Sequence, residues 1–119
     1  MIRDPGPGED FLYIYRLTPG SGPEYDRRHQ EVWPEVLALL DEAGLYDYRI
    51  WRHEEIVVSR MRARAGFRRA AAVTAANAVQ ARWTASMSGL FASIATADGE
   101  PLWLTAVFAH RVLPDSKAQ

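Results

Sequence analysis

A tyrosine, a histidine and a tryptophan recur at four-residue intervals in the segment EYDRRHQEVWPE, which runs from Glu24 to Glu35. On an α-helix, four residues advance a side chain by about 40° beyond one full turn. Tyr25, His29 and Trp33 therefore share one stripe. Histidine changes charge near neutral pH and can donate or accept a proton. An aromatic concavity around it predicts a small-molecule site in which His29 performs acid–base chemistry.

Each of these side chains also has a purely structural explanation. Taken singly, Tyr25 and Trp33 are more often packing residues, and a lone histidine is more often a core residue whose ring nitrogens are hydrogen-bonded. The same stripe continues into aliphatic residues such as Val36 and Leu39. Because its first half is aromatic and titratable and its second half is aliphatic, the pattern favours a site at the N-terminal end of a buried stripe.

Two further aromatic residues could line the same site. Trp83 shares a helical face with Val79 and Met87 in NAVQARWTASM, and Tyr48 lies in the aromatic segment LYDYRIWR. Ordinary core or sheet packing explains either residue alone. Together they would supply ring faces for the C–H surfaces of a small ligand and hydroxyls for its polar groups. The predicted substrate-binding residues around the catalytic His29 are Tyr25, Tyr48, Trp83 and Trp33.

The sequence lacks the residues and motifs that thiol, metal, nucleotide or serine-nucleophile chemistry would need. The chain has no cysteine, which excludes disulfides, thiolate catalysis and cysteine-based zinc sites. It has no HExxH or other metal-ligand spacing, no GxGxxG, no Walker loop and no nucleophile elbow. The chemistry predicted is therefore proton transfer without a cofactor or metal, by histidine, by tyrosine or by the glutamates at 24, 31 and 35.

The charge and hydropathy of the sequence argue against nucleic acid or a membrane as a binding partner. The formal net charge of −1 gives no electrostatic signature for nucleic acid or a membrane surface. The arginines at 60–69 are balanced by acids elsewhere, which is typical of a solvated surface. No apolar run approaches the roughly 20 residues that a membrane span needs, and the first ten residues lack the apolar core of a signal peptide. We therefore expect a cytoplasmic protein.

The hydrophobic periodicity of the sequence predicts the strands and helices that must position these side chains. FLYIYRL, LYDYRIWR, EIVVSRMR and LWLTAVFAHRV are β-type; residues 24–43, 66–73 and 77–92 are helix-type. The order β-α-β-β-α-β predicts an α+β, ferredoxin-like domain with one antiparallel sheet and helices on one face. Residues 10–114 should form this single domain, between flexible tails at 1–9 and 115–119. Pro34 predicts a kink at Trp33, and Gly44 a helix end.

The opposite face of that sheet needs a cover. The strands carry apolar or aromatic side chains on both faces, and no leftover segment can form a lid. Two such sheets packed face to face would bury both. The sequence therefore predicts a homodimer that forms an α+β barrel.

Three segments resemble the L-rhamnose mutarotase family: EYDRRHQEVWPEVLALLDEAGLYDYRIW, NAVQARWTASM and AVFAHRVLP, within a similarity running from 11 to 114. The resemblance implies a homodimeric α+β barrel, without metal or cofactor, that interconverts the α and β anomers of a deoxy-hexose. It implies that His29 is the proton donor and that Tyr25 and Tyr48 bind substrate. Trp83 corresponds to the first aromatic residue of a pair in the family's pocket.

The chain departs from the family pattern at several positions. Thr84 stands where the second large residue of the pocket pair is usual, Ala106 where a glutamate is usual, and Asp47 where an asparagine precedes the tyrosine. An alternative is therefore a repurposed barrel enzyme, such as a cofactor-free cyclase or oxygenase acting on an aromatic or polyketide substrate. A third possibility is a ligand-binding or assembly protein without catalysis.

Overall fold

The computed structural model describes residues 3–110 of the 119-residue chain. Within these residues, five strands and four α-helices follow one another in an α+β arrangement, with a 3-10 turn at Ser88–Leu90. In chain order they are β1 (Phe11–Leu17), α1 (Gly22–His29), α2 (Pro34–Glu42), β2 (Leu45–His53), β3 (Ile56–Ala63), α3 (Phe67–Ala75), α4 (Ala78–Ser86), β4 (Phe91–Ser93) and β5 (Leu102–Trp103).

All strand pairs in the sheet are antiparallel. The order is β2-β3-β1, and the short strands β4 and β5 both pair with the free side of β1. This confirms the predicted α+β class and ferredoxin-like arrangement. Strand alternation gives the sheet one buried face, on which Phe11, Leu17, Val57 and Met61 are almost fully buried. The helices pack on this inner face and leave the outer face exposed.

The long first helix is predicted wrongly. Instead of one helix over 24–43, α1 ends at His29 and α2 begins at Pro34. Trp33 is extended (φ −61°, ψ 137°), because the proline ring disfavours helical geometry in the residue before it. Pro34 then starts α2, where its missing N–H costs nothing. Gly44 ends the second helix as predicted, with φ +80°.

The last predicted helix is also shorter than expected. It begins as predicted at the cap Asn77, whose Oδ1 accepts a hydrogen bond from the Val79 amide at 2.7 Å. It ends at Ser86 rather than near Ala92, and Phe91–Ser93 instead forms β4 beside β1. Serine and glycine at 86–89 favour a turn over a continued helix, and this releases the chain to reach the sheet.

The predicted last strand, LWLTAVFAHRV, is mostly unpaired in this chain. Only Leu102–Trp103 is a strand, and the Leu104 amide makes one more bond to the Leu12 carbonyl at 3.0 Å. From there to His110, the last described residue, the chain passes the start of β1 without pairing with a strand. Val107 is 92% exposed and Phe108 84% exposed. The final positions of that predicted strand and the predicted tail at 115–119 lie outside the described residues.

The described part of the predicted N-terminal tail lies against the domain. Pro5 is buried, and its carbonyl accepts a hydrogen bond from the Phe67 amide at 2.9 Å. The Gly8 amide donates to the Ala63 carbonyl, also at 2.9 Å. Backbone hydrogen bonds and apolar burial thus tie residues 3–9 to the end of β3 and to α3, which local composition did not predict.

Candidate functional site

The C-terminal end of α1 is held between the sheet and α4 by two arginines. The guanidinium of Arg52 on β2 donates to both carboxylate oxygens of Asp26, at 2.7 and 2.6 Å. Arg28 donates to the backbone carbonyl of Ser86, the last residue of α4, at 2.8 Å. Bidentate and charge-assisted bonds fix direction as well as distance. They place the next residue, His29, facing α4.

One nitrogen of His29 is already committed. Its Nδ1 lies 3.0 Å from the carbonyl oxygen of Tyr25. Because a carbonyl only accepts hydrogen bonds, Nδ1 carries the hydrogen and Nε2 is the nitrogen left for a ligand. The imidazole lies over the Tyr25 ring, with centroids 4.1 Å apart, and meets the Trp83 ring edge to face at 5.9 Å. The ring is therefore held on two sides while its half-buried edge remains accessible.

Tyr25 lies behind His29 rather than in the open cavity. It is 2% exposed, and its hydroxyl lies 2.5 Å from the hydroxyl of Tyr15 on β1. Trp33 does not border the cavity either. Its ring makes an edge-to-face contact with the ring of Trp83, with centroids 5.1 Å apart. Both predicted binding residues thus support side chains that line the cavity and do not themselves line it.

A cavity of about 300 Å³ opens beside His29, between the inner face of the sheet and α4. A hexose needs a space of this order. The sheet supplies three tyrosines, α4 supplies a glutamine, a tryptophan and a threonine, and the far wall is apolar. The lining residues other than His29 are Tyr13, Tyr15, Tyr48, Gln80, Trp83, Thr84, Met87, Phe91, Ile94 and Pro101.

Tyr48 reaches the cavity through a bulge in β2. The pairing register with β3 shifts between Tyr46 and Arg49, and Asp47 in the bulge has φ +51°. Aspartate tolerates this left-handed conformation better than most residues. The extra residue resets the alternation of the strand, so that both Leu45 and Tyr48 pack on the inner side. Asp47, noted above as a departure from the family pattern, therefore has a conformational role that an aspartate can fill.

A second, aliphatic compartment adjoins the tyrosine cavity. It measures about 460 Å³ and lies between α2, β2 and α4. The two spaces share His29, Tyr48, Gln80 and Trp83, so these residues form the boundary between a hydroxyl-rich and an apolar region. The remaining lining residues are Val32, Val36, Leu37, Leu40 and Ile50.

The tyrosine hydroxyls around the site stay protonated. Burial raises the pKa of Tyr13 to about 12 and raises the pKa of Tyr15 as well. Burial, reinforced by neighbouring tyrosines, raises the pKa of Tyr25 and of Tyr48 further. At neutral pH these groups are therefore neutral hydroxyls that can both donate and accept hydrogen bonds.

Of the residues singled out from the sequence, the structure brings His29, Tyr48 and Trp83 together at one cavity. Sequence reasoning missed Tyr13, Tyr15 and Gln80 as lining residues. The alternation of FLYIYRL placed both tyrosines on one strand face, a signal that could have found them. Gln80 carried no such signal. Thr84 does line the cavity, whereas Ala106 lies in the exposed segment after β5, away from His29.

Two further observations concern other kinds of site. Within residues 3–110, no group of three or more His, Cys, Asp and Glu side chains is placed to hold a metal ion. No helix in the same range is long and apolar enough to cross a membrane.

Comparison with known proteins gives a consistent result. A family model described as L-rhamnose mutarotase matches residues 11–110. The L-rhamnose mutarotase of Brucella anthropi is 48% identical over 48 residues, which are 40% of this chain and 45% of that protein. The L-rhamnose mutarotase of Verminephrobacter eiseniae is 36% identical over 82 residues, 69% of this chain and 77% of that protein.

A solved structure supports the fold independently. The crystal structure of an L-rhamnose mutarotase from Formosa agariphila superposes with a TM-score of 0.68, covering 87% of this chain and 99% of that one at 21% identity. The strongest sequence matches span somewhat less than half the length of the curated relatives, 45% for Brucella anthropi. The family match itself extends from β1 through the last described residue. The chain is a member of the L-rhamnose mutarotase family.

Proposed function

We propose that the protein is an isomerase that interconverts the α and β anomers of L-rhamnose or a related hexose by cofactor-free acid–base catalysis. One observation carries this proposal: His29, with Nδ1 held by the Tyr25 carbonyl, turns its other nitrogen towards a sugar-sized cavity lined by tyrosines. Membership of the family and the names of the relatives support the same activity.

The chemistry needs one proton delivered and one removed. As the bond between C1 and the ring oxygen breaks, the protonated imidazole donates its Nε2 hydrogen to the ring oxygen. The proton of the C1 hydroxyl leaves to solvent through the neutral tyrosine hydroxyls, and an open-chain aldehyde forms. Closure on the other face reverses both transfers. Positioned acid–base groups of this kind typically accelerate a reaction by about 10²–10⁴-fold.

The remaining groups bind the ring. Trp83 presents an aromatic surface to the C–H faces of a pyranose, and its orientation is supported by the edge contact with Trp33. Tyr13, Tyr15 and Tyr48 offer neutral hydroxyls to the sugar hydroxyls. Tyr25 supports catalysis from behind, by holding the imidazole in place and bonding to Tyr15.

The activity can be tested by saturation-transfer NMR of anomer exchange. Wild type should accelerate exchange of L-rhamnose or a related aldose, and His29→Gln should reduce that acceleration by about 10²–10⁴-fold. His53→Gln is the matched control, because His53 is exposed at the end of β2 and should leave the rate unchanged. Wild type that accelerates no common aldose would contradict the proposal.

We also propose that two copies pair through the outer faces of their sheets. The strand register aligns Trp51, Val58, Ile14 and Leu102 in one apolar row across that face. Trp51 is 48% exposed in the single chain. The β-type segment at 104–110 exposes two further apolar side chains, Val107 at 92% and Phe108 at 84%. A second copy of this chain would cover both features.

Light scattering after size exclusion tests this assembly. Wild type should elute at twice the chain mass of 13.4 kDa. A charge in the middle of the row, as in Val58→Asp, should give a monomer, whereas Arg82→Asp, at an exposed position of α4 on the opposite side of the sheet, should remain dimeric. A monomeric wild type at micromolar concentration would contradict the pairing. The predicted cytoplasmic location remains a prediction.

A repurposed enzyme acting on a planar apolar substrate is a second candidate. The observation that favours it is the aliphatic compartment that opens directly from the tyrosine cavity across His29 and Trp83. Tryptophan fluorescence quenching by planar phenols, compared with sugars, separates the two candidates. Micromolar binding of phenols without any response to aldoses would favour this alternative over the mutarotase.

A further inference from the structure

Gln80 stands at the junction of the cavities. It lines the tyrosine cavity, the aliphatic compartment and a third space of about 240 Å³ beneath α3. Its neighbours at the first two are His29, Tyr48 and Trp83. No other side chain of α4 contributes an amide to this region, so Gln80 gives the helix wall its main polar group.

The orientation of the Gln80 amide is set by a neighbour one turn along the helix. Its Nε2 donates to the Thr84 hydroxyl at 3.0 Å. This contact uses one of the two amide hydrogens. Within residues 3–110 the second hydrogen and the carbonyl Oε1 have no hydrogen-bond partner in the protein. Both are therefore available to a ligand in a space otherwise lined mainly by rings and aliphatic groups.

We propose that Gln80 is a specificity-determining residue whose amide hydrogen-bonds a substrate hydroxyl next to the reacting edge of the sugar, with Thr84 as its positioning residue. The inference rests on the proposed mutarotase activity. The reacting edge, made of the ring oxygen and C1, must face His29. The groups nearest that edge are the substituent at C5 and the hydroxyl at C2, and Gln80 shares both cavities with His29.

An amide at this place favours a hydroxymethyl group at C5 over a methyl group. L-rhamnose carries the methyl group, and L-mannose is the same sugar with the additional C6 hydroxyl. A site that offers a hydrogen bond to a substrate hydroxyl discriminates against the analogue that lacks it, because the polar groups of the site are then left unpaired. Of the two groups beside the reacting edge, only the C5 substituent differs between these sugars; taking its C6 hydroxyl as the Gln80 contact, we infer as substrate class a hexose that retains this hydroxyl.

Anomer exchange with matched sugar pairs tests the assignment. We expect wild type to show a kcat/KM about tenfold higher for L-mannose than for L-rhamnose, the effect of one hydrogen bond. Gln80→Leu should abolish this preference by raising KM for L-mannose, while kcat and its pH profile stay unchanged. Thr84→Val should give an intermediate loss. Arg82→Leu, an exposed position on the same helix, should keep the wild-type ratio.

The outcomes separate the inference from the activity on which it rests. Unchanged sugar ratios in Gln80→Leu and in the unbranched Gln80→Met, with active wild type, would overturn the role of Gln80 alone. Loss of discrimination between L-mannose and its 2-deoxy analogue, instead of the C6 pair, would support Gln80 as the contact and overturn the C6 assignment. Wild type inactive on all these sugars would overturn both proposals.

Discussion

The two ends of the sheet's inner face use similar aromatic residues but pack them differently. At the packed end, Phe11, Phe67 and Trp103 close a triangle of edge-to-face contacts at 5.4, 5.8 and 5.0 Å. At the open end, His29 and Trp83 stand beside a cavity, and the tyrosine rings beneath them carry hydroxyls. The packed end is filled by aromatic rings, whereas the open end keeps a cavity bordered by tyrosine hydroxyls.

The difference shows how one sheet supports both stability and a site. Close-packed rings gain dispersion and burial at every contact, and such positions carry much of the folding free energy. At the open end, α4 has no fully buried residue, and its position depends on Arg28 and on contacts through Trp83. The packed end therefore serves as the rigid base on which the open end can keep an unfilled cavity.

The largest expected effect on stability lies at the packed end. Phe11 is 1% exposed, so Phe11→Ala should lower the free energy of unfolding by about 3–5 kcal/mol. Trp83→Ala removes a larger ring that is only half-buried, and it should cost less stability while greatly weakening sugar binding. Urea unfolding of both variants measures this contrast. Equal destabilisation by the two substitutions would mean that the open end is core as well.

A smaller effect should follow from removing one hydroxyl behind the histidine. Tyr25→Phe keeps the ring under His29 but breaks the bond to Tyr15, so we expect a loss of about 1 kcal/mol in the free energy of unfolding. Anomer exchange should slow by up to about tenfold. Tyr46→Phe is the matched control, since the Tyr46 ring packs under the Arg64 guanidinium away from the cavity. Equal changes in both variants would argue against a special role for the Tyr25 hydroxyl.

The smallest effect is a pH dependence on the alkaline side. Burial raises the pKa of Tyr13 to about 12, and the pKa values of Tyr15, Tyr25 and Tyr48 are also raised above the ordinary value of 10.0. The unfolded chain therefore loses these protons first, so the stability they contribute is present below pH 10 and is lost as pH rises above it. Absorbance at 295 nm should show these tyrosines un-ionised in the folded protein at pH 10. Ionisation of every tyrosine near pH 10, as in urea, would contradict the burial of the site.

Local patterns predicted the elements better than their ends. The alternation in FLYIYRL, the cap at Asn77 and the glycine at 44 each depend on neighbouring residues only, and the structure agrees with them. The break at 30–33 was predicted only as a kink, because the effect of Pro34 on Trp33 depends on whether tertiary contacts hold the helix together. Strand β4 depends on pairing with β1, which no local pattern reveals.

In the site, too, residue type and spacing predicted some features, whereas others depend on tertiary contacts. His29, Tyr48 and Trp83 could be identified from residue type and spacing, although Tyr48 reaches the cavity only through the bulge at Asp47. Tyr25 and Trp33 lie one layer further back than expected: Tyr25 is buried against Tyr15 on the sheet, and Trp33, beyond the helix break, packs against Trp83. Gln80 could not be found from the sequence, since a glutamine on a helix is ordinary until the cavities beside it are known.

The most direct test of the contrast between the two ends is an NMR titration of the tryptophan indole signals with L-rhamnose and L-mannose, assigned by Trp→Phe variants. Sugar bound beside His29 should shift the Trp83 indole N–H resonance to saturation and leave that of Trp103, in the packed end, unmoved. A saturable shift of the Trp103 signal with Trp83 unaffected, or no shift at either residue, would contradict a sugar site at the open end.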